Sequence, residues 1–156
     1  MFEFLKRNKK VELFSPVVGK SICLEKVPDK VFANRLLGDG IAFEIAGDTL
    51  YAPCDAKVVM VASTNHAIGL KTGRNIEILF HVGLDTVELK GEGLETLVVI
   101  EEKVKRGQPL LKINKVLMKE KRIDLTTSMV ITSQNHQLKI SEPDKVDLNS
   151  LVISIE

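Results

Sequence analysis

Residues 75–93 read Asn75-Ile-Glu-Ile-Leu-Phe-His-Val-Gly-Leu-Asp-Thr-Val-Glu-Leu-Lys-Gly-Glu-Gly93. Ile76, Ile78, Phe80 and Val82 alternate with Glu77, Leu79 and His81, the period of two that marks a strand with one buried face. The uniformly apolar set belongs to a core. His81 therefore points away from it, near the end of the strand, with Gly83 as the break that follows. Leu79 shares the outer face two residues away, an apolar neighbour suited to partner docking.

The same grammar repeats on both sides of this stretch. Segments 21–25, 41–45, 49–52, 57–62, 67–71, 109–113, 128–132, 137–140 and 151–155 all have strand length and β-branched content. Turn signals at Gly38-Asp-Gly40, Gly47-Asp48, Thr72-Gly73, Gly91-Glu-Gly93 and Arg106-Gly107 separate most of them. Short strands at this spacing predict an all-β fold, an antiparallel β-sandwich or barrel-like domain. Short helices are expected over 31–37 and 116–122. Pro16-Val-Val-Gly-Lys-Ser-Ile22 echoes Pro53-Cys-Asp-Ala-Lys-Val-Val59, which is either the mark of two related β half-motifs or a coincidence over seven residues.

Composition narrows the function classes. A chain of 156 residues, 44% apolar, fits one domain with one core and needs no staples. Cys23 and Cys54 have no paired spacing and read as small buried thiols, reduced in a cytoplasmic protein. Twenty-two basic residues stand against 21 acidic ones, so no cationic excess points to nucleic acid. With six Phe, one Tyr and no Trp, stacking platforms for bases are not expected. No apolar run approaches the ~20 residues of a membrane span, and no secretory leader is expected at residues 1–10. Those residues place Phe2, Phe4 and Leu5 before Lys6, Arg7, Lys9 and Lys10. This is either a solvated terminus or a short amphipathic segment making weak contact with anionic membrane.

The histidines are His66, His81 and His136. Thr64 and His66 share parity in Ser63-Thr-Asn-His-Ala67. If their strand pairs with the 75–82 strand through the turn near Gly73, two imidazoles and a hydroxyl converge. Asp85, four residues past His81, reaches the same pocket. A neutral imidazole is a good nucleophile for phosphorus, and a second imidazole with a hydroxyl supplies donors to phosphoryl oxygens. A metal site competes, but these spacings match no strong ligand motif, so none is expected. The remaining reading leaves the histidines as ordinary surface residues.

The run Leu79-Phe-His-Val-Gly-Leu-Asp-Thr-Val-Glu-Leu-Lys-Gly-Glu-Gly93 resembles the phosphorylation-site signature of the glucose-type enzyme IIA components of the bacterial sugar phosphotransferase system. Thr64-Asn-His-Ala67, Val27-Pro-Asp-Lys-Val-Phe-Ala33, Leu37-Gly-Asp-Gly-Ile-Ala42 and Tyr51-Ala-Pro53 resemble further stretches of that family. The likeness implies an antiparallel β-sandwich of the duplicated hybrid motif type. It implies a phosphotransferase component in which phospho-HPr, the phosphorylated histidine protein of the system, phosphorylates His81 on Nε2. A cysteine on a IIB domain then takes the group for sugar uptake and phosphorylation. His66 would stabilise the phosphoryl group, Thr64 would orient His66, the Gly83 carbonyl would hold the other ring nitrogen of His81, and Asp85 would mark the pocket edge. No cofactor is required. Phe32, Leu79 and Val87 are the expected docking residues, and His136 matches no site position. The apolar rim is thinner than in the family, with Ala62, Gly69 and Leu79 where phenylalanines are usual. On this reading residues 1–12 form a flexible, membrane-associating segment at the inner face, and 13–156 a single IIA phosphocarrier domain. A regulatory docking module of the same fold is the alternative. A biotin- or lipoyl-carrier domain is disfavoured, because the only Met-Lys pair, Met118-Lys119, lies in a helix-like stretch.

Overall fold

The computed structural model describes residues 10–156. Its strands, all paired antiparallel, are β1 (Val11–Phe14), β2 (Gly19–Cys23), β3 (Asp39–Ile45), β4 (Thr49–Tyr51), β5 (Ala56–Val61), β6 (Ala67–Lys71), β7 (Glu77–His81), β8 (Leu94–Thr96), β9 (Lys103–Val104), β10 (Pro109–Ile113), β11 (Thr127–Ile131), β12 (Leu138–Ile140), β13 (Lys145–Val146) and β14 (Leu151–Ile155). The helices are short: α1 (Lys30–Ala33) and α2 (Lys115–Glu120), with 3-10 turns at Leu24–Lys26 and Thr86–Leu89. One eight-stranded sheet, in the order β13-β2-β3-β11-β7-β6-β5-β9, packs with two three-stranded sheets, β1-β14-β12 and β4-β10-β8. The all-β class is as expected, and of the sandwich and barrel-like forms it is an open sandwich. Among the described residues no helix is long and apolar enough to cross a membrane.

The large sheet reads alike from both edges, and the proline echo explains why. The Tyr51 N–H donates to the Pro16 carbonyl at 2.8 Å, and the Phe14 N–H donates to the Pro53 carbonyl at 3.0 Å. Gly19 and Lys20 then face Val146 and Lys145, as Ala56 and Lys57 face Val104 and Lys103. The approximate two-fold axis passes between β7 and β11, where Phe80 opposes Met129.

Alternation places Ile76, Ile78, Phe80 and Val82 in the main core, none more than 3% exposed. Packed against them are Ile41, Phe43, Leu70, Met129 and Ile153, among others. Burial of each such side chain contributes roughly 1.5–3 kcal/mol. On the opposite face a smaller cluster of Leu24, Val27, Phe32, Ala42 and Val130 packs with the half-buried Leu79 and Leu84. Helix α1 holds this cluster down. Asp29 caps it by accepting the Val31 N–H at 2.9 Å, and it buries Phe32.

Several expectations are corrected. Val11 and Glu12 pair with Ile155 and Ser154, so residues 11 and 12 do not belong to a flexible segment. The rest of that segment, residues 1–9, lies outside the described residues. The segment 21–25 is strand only to Cys23, where the chain bends into a 3-10 turn, and this leaves Cys23 half-buried. Cys54 is buried as expected, and burial, with Asp55 nearby, pushes its thiol up to about 12. The helix at 31–37 stops at Ala33, because Arg35 adopts a left-handed conformation with φ of 56°. The one at 116–122 stops at Glu120, and Arg122 is left-handed in the same way.

Candidate active site

His81 ends β7 on its outer face, and the register Ala67↔His81 sets β6 beside it. The Val82 N–H donates to the His66 carbonyl at 2.8 Å, which continues that pairing one step past the strand ends. Backbone bonding alone therefore brings two residues fifteen apart in sequence side by side. Their ring centroids lie 5.0 Å apart with planes at 77°.

Each ring is fixed through Nδ1. His81 Nδ1 lies 3.0 Å from the Gly83 carbonyl oxygen. A carbonyl only accepts, so Nδ1 carries the hydrogen and a neutral His81 presents an unprotonated Nε2. Gly83 reaches this position with φ of 76°. A Cβ there would stand 2.5 Å from Thr86 Cγ2 and 3.1 Å from the Asp124 carbonyl oxygen. Thr86, fully buried, donates its hydroxyl to the Val82 carbonyl, and the Leu84 N–H donates to the Asp124 carbonyl at 2.8 Å. His66 Nδ1 lies 2.5 Å from Thr64 Oγ1. With the hydroxyl donating, His66 Nε2 is left as an N–H donor.

Both rings are held toward the neutral form. Burial lowers the His81 pKa first, and the His66 charge lowers it further. The Gly83 hydrogen bond and the Asp29 charge oppose these effects. Burial lowers the His66 pKa. Each is below the ordinary value of 6.5, so both imidazoles are neutral near pH 7.

The structure brings His81, His66, Thr64 and Gly83 together in the anticipated relation. Other expected site residues sit differently. Asp85 is exposed, begins the 3-10 turn with φ of 58°, and makes no side-chain cap bond. The carboxylate whose charge reaches His81 is Asp29, delivered by the cap of α1. Phe32 is 4% exposed, with its ring 4.9 Å from that of His81, so it is a wall of the site and not a docking residue. Leu79 is half-buried in the same cluster, because α1 and its flanking turn cover the outer face there. Val87 is 51% exposed, as docking would require, and Val31 on α1 is 40% exposed. His136 bonds Ser133 Oγ through Nε2 at 2.8 Å, apart from the histidine pair.

Asn65 is a positioning residue the sequence reading missed. It takes φ of 60° between Thr64 and His66. Its Nδ2 donates to the Leu94 carbonyl at 3.0 Å, and its Oδ1 accepts from Thr96 Oγ1 at 2.9 Å. The turn carrying both site side chains is thereby pinned to β8. An asparagine at a turn is the sequence signal for a left-handed residue, but its partners are thirty residues away. Among the described residues no group of three or more His, Cys, Asp or Glu is placed to hold a metal ion.

Two comparisons bear on this arrangement. The family described as "phosphoenolpyruvate-dependent sugar phosphotransferase system, EIIA 1" matches residues 11–137. Among solved structures, the glucose permease IIA from Mycoplasma capricolum is similar over 95% of this chain and 97% of its own, with 33% identity and a TM-score of 0.87.

Proposed function

Since this chain belongs to the EIIA 1 family of the phosphoenolpyruvate-dependent sugar phosphotransferase system, we propose that His81 Nε2 carries the phosphoryl group, taking it from phospho-HPr and passing it to a IIB cysteine. The observation that carries this reading is the 3.0 Å contact between His81 Nδ1 and the Gly83 carbonyl. It commits the ring hydrogen to the inner nitrogen and turns the Nε2 lone pair outward. That lone pair attacks phosphorus, and the bond to the donor histidine breaks. In the onward step a cysteine thiolate attacks, and the electron pair of the P–N bond returns to Nε2.

His66, with Thr64 on its Nδ1, offers Nε2–H to the equatorial oxygens, whose charge is least solvated between the two rings. No cofactor or metal enters either step. Residues 11–156 act as one phosphocarrier domain in the cytoplasm, with β1 as part of it. The basic and aromatic terminus gives a weak, salt-sensitive contact with anionic lipid. Sugar transport and phosphorylation proceed on the partners, and this chain supplies the phosphoryl group.

The test is labelling from phospho-HPr followed by mapping of the acid-labile phosphate. Wild type should label on His81 alone. His81→Ala should keep its fold, because the buried face of β7 is untouched, and should take no label. Full labelling of His81→Ala would overturn the assignment.

A further inference from the structure

Away from the histidine pair, a groove of about 420 Å³ is lined by Lys57, Lys71, Lys103 and Lys105, with Asp55 as its single carboxylate. Register builds it. Lys57 faces Lys71 on β6 and Lys103 on β9. Three ammonium-bearing side chains thus stand in one row across three neighbouring strands, about 5 Å apart at Cβ. Directly opposed like charges destabilise a sheet, so folding does not select this row. Its compensation is partial, three lysines sharing two glutamates. Glu77 faces Lys71 from β7. Glu101 lies 3.3 Å from Lys57, with side-chain exposures of 72% and 44%, a surface pair of small worth. Asp55 Oδ1 already accepts the Arg106 backbone N–H at 2.9 Å.

The pseudo-symmetry of the fold supplies an internal control. A corresponding groove, lined in part by Gly19, Lys20, Glu44, Lys145 and Val146, lies at the other end of the sheet. There Lys20 faces Lys145 on one side and Glu44 on the other. Glu44 stands where Lys71 stands in the first groove. The same backbone frame accepts a charge-compensated row, so the lysine at 71 is not a requirement of the architecture.

We propose that the Lys57–Lys71–Lys103–Lys105 groove binds a multivalent phosphate-bearing anion. Each lysine offers a compact charge with three rotatable donors, and their fields add in a concave site. The volume falls within the roughly 300–1,000 Å³ of small-molecule sites. Gly73 at its edge has nothing within 4 Å of its Cβ position, which leaves the mouth open. The row shares its sheet face with His81, since Lys71 opposes Glu77 and Glu77 has the parity of His81. Four residues of strand separate the two levels by about 13 Å, so an occupant leaves His81 free. The shared chemistry is a cluster of phosphate oxygens, borne by a free phosphorylated metabolite or by a lipid headgroup.

The test uses the full chain and sodium tripolyphosphate at low ionic strength, with chloride-matched controls. Calorimetry should show binding to wild type, and its melting temperature should rise more than in chloride. Lys71→Glu, which breaks the row, should lose at least tenfold in affinity. Because it also sets a second carboxylate against Glu77, Lys71→Gln is the folding control and should lose affinity with an unchanged melting temperature. Lys20→Glu in the corresponding groove, and His81→Ala, should bind as wild type does. Retention of binding in His81→Ala keeps this site independent of the phosphocarrier reading. Co-sedimentation with phosphatidylglycerol vesicles separates the two sources. A loss in Lys71→Glu identifies a headgroup, whereas vesicle binding indifferent to residue 71, beside a tenfold tripolyphosphate effect, identifies a soluble ligand. Equal tripolyphosphate affinity in wild type and Lys71→Glu, or none in wild type, overturns the proposal.

Discussion

Replacing His66 separates a donor from a second acceptor. The ring stands 5.0 Å from that of His81 at 77°, and Thr64 holds its Nδ1. An N–H from Nε2 is then the group it can extend to a phosphoryl group between His81 and a partner. Loss of one preorganised donor to a transferring oxygen costs about 3 kcal/mol, a rate loss on the order of a hundredfold. His66→Ala should therefore keep its fold and label only on His81, slowly, while onward transfer to the IIB cysteine falls about a hundredfold. His66→Gln should retain more activity, because its amide still donates. Thr64→Val should fall between, since it loses one hydrogen bond worth about 1 kcal/mol, several-fold in rate. The assay is single-turnover transfer from the isolated phosphoprotein to a IIB domain, with melting curves as the control for folding. Wild-type transfer rates in His66→Ala, or phosphate on His66 in His81→Ala, would refute the reasoning.

Three further outcomes are expected. In NMR titrations both imidazoles should titrate below pH 6.5. His66→Ala should raise the His81 midpoint by removing a neighbouring charge, and Asp29→Asn should lower it by removing an opposing one. The sign for stability follows from proton uptake: below pH 6.5 the unfolded chain binds protons that the folded rings resist, so stability falls with pH across that window. Wild type should lose stability there more steeply than the double variant His66→Gln/His81→Gln, as urea midpoints at pH 7 and pH 5.5 would show. Gly83→Ala should lose at least the roughly 1–2 kcal/mol of a left-handed alanine, with more from the contact with Thr86. It should also label poorly because the carbonyl that orients His81 moves, and labelling at the wild-type rate would count against that carbonyl. Phe32→Ala should cost about 3–5 kcal/mol by chemical denaturation, as expected for a buried wall residue and not for an exposed docking one.

The parts of the fold that were legible from sequence were those written in local pattern. The alternation of Ile76, Ile78, Phe80 and Val82 faithfully marks the core face of β7. The segments 67–71, 109–113 and 151–155 have the observed strand bounds. Strands β9 and β13 escaped because two residues carry no period, and they exist only because β5 and β2 offer edges to pair with. The cover over Leu79 escaped for a related reason. Alternation tells which side of a sheet a residue faces, but it does not say whether a helix elsewhere in the chain, here α1 with its buried Phe32, covers that side. The site divides the same way. Parity gave the histidine pair, and the family resemblance gave the Gly83 carbonyl. Asp29 was hidden because its influence on His81 comes through the cap of a helix that folds back over the sheet.

The lysine row shows what sequence order conceals most completely. Lys57, Lys71 and Lys103 are separated by fourteen and thirty-two residues, and each reads as an ordinary exposed strand charge. Only the registers of two strand pairs put them side by side. Only the second groove, with Glu44 opposite Lys20, shows that the fold works without such a row. A structural repeat lets one half serve as the reference state for the other. Where the two halves share backbone pairing but differ in charge, folding stability does not explain the difference, because the compensated arrangement is the more stable one. That cost is tolerable if the excess charge of the row has a ligand to neutralise it, which is why Lys71→Gln, which sets no like charge against Glu77, is expected to keep stability at the same time as it loses the anion.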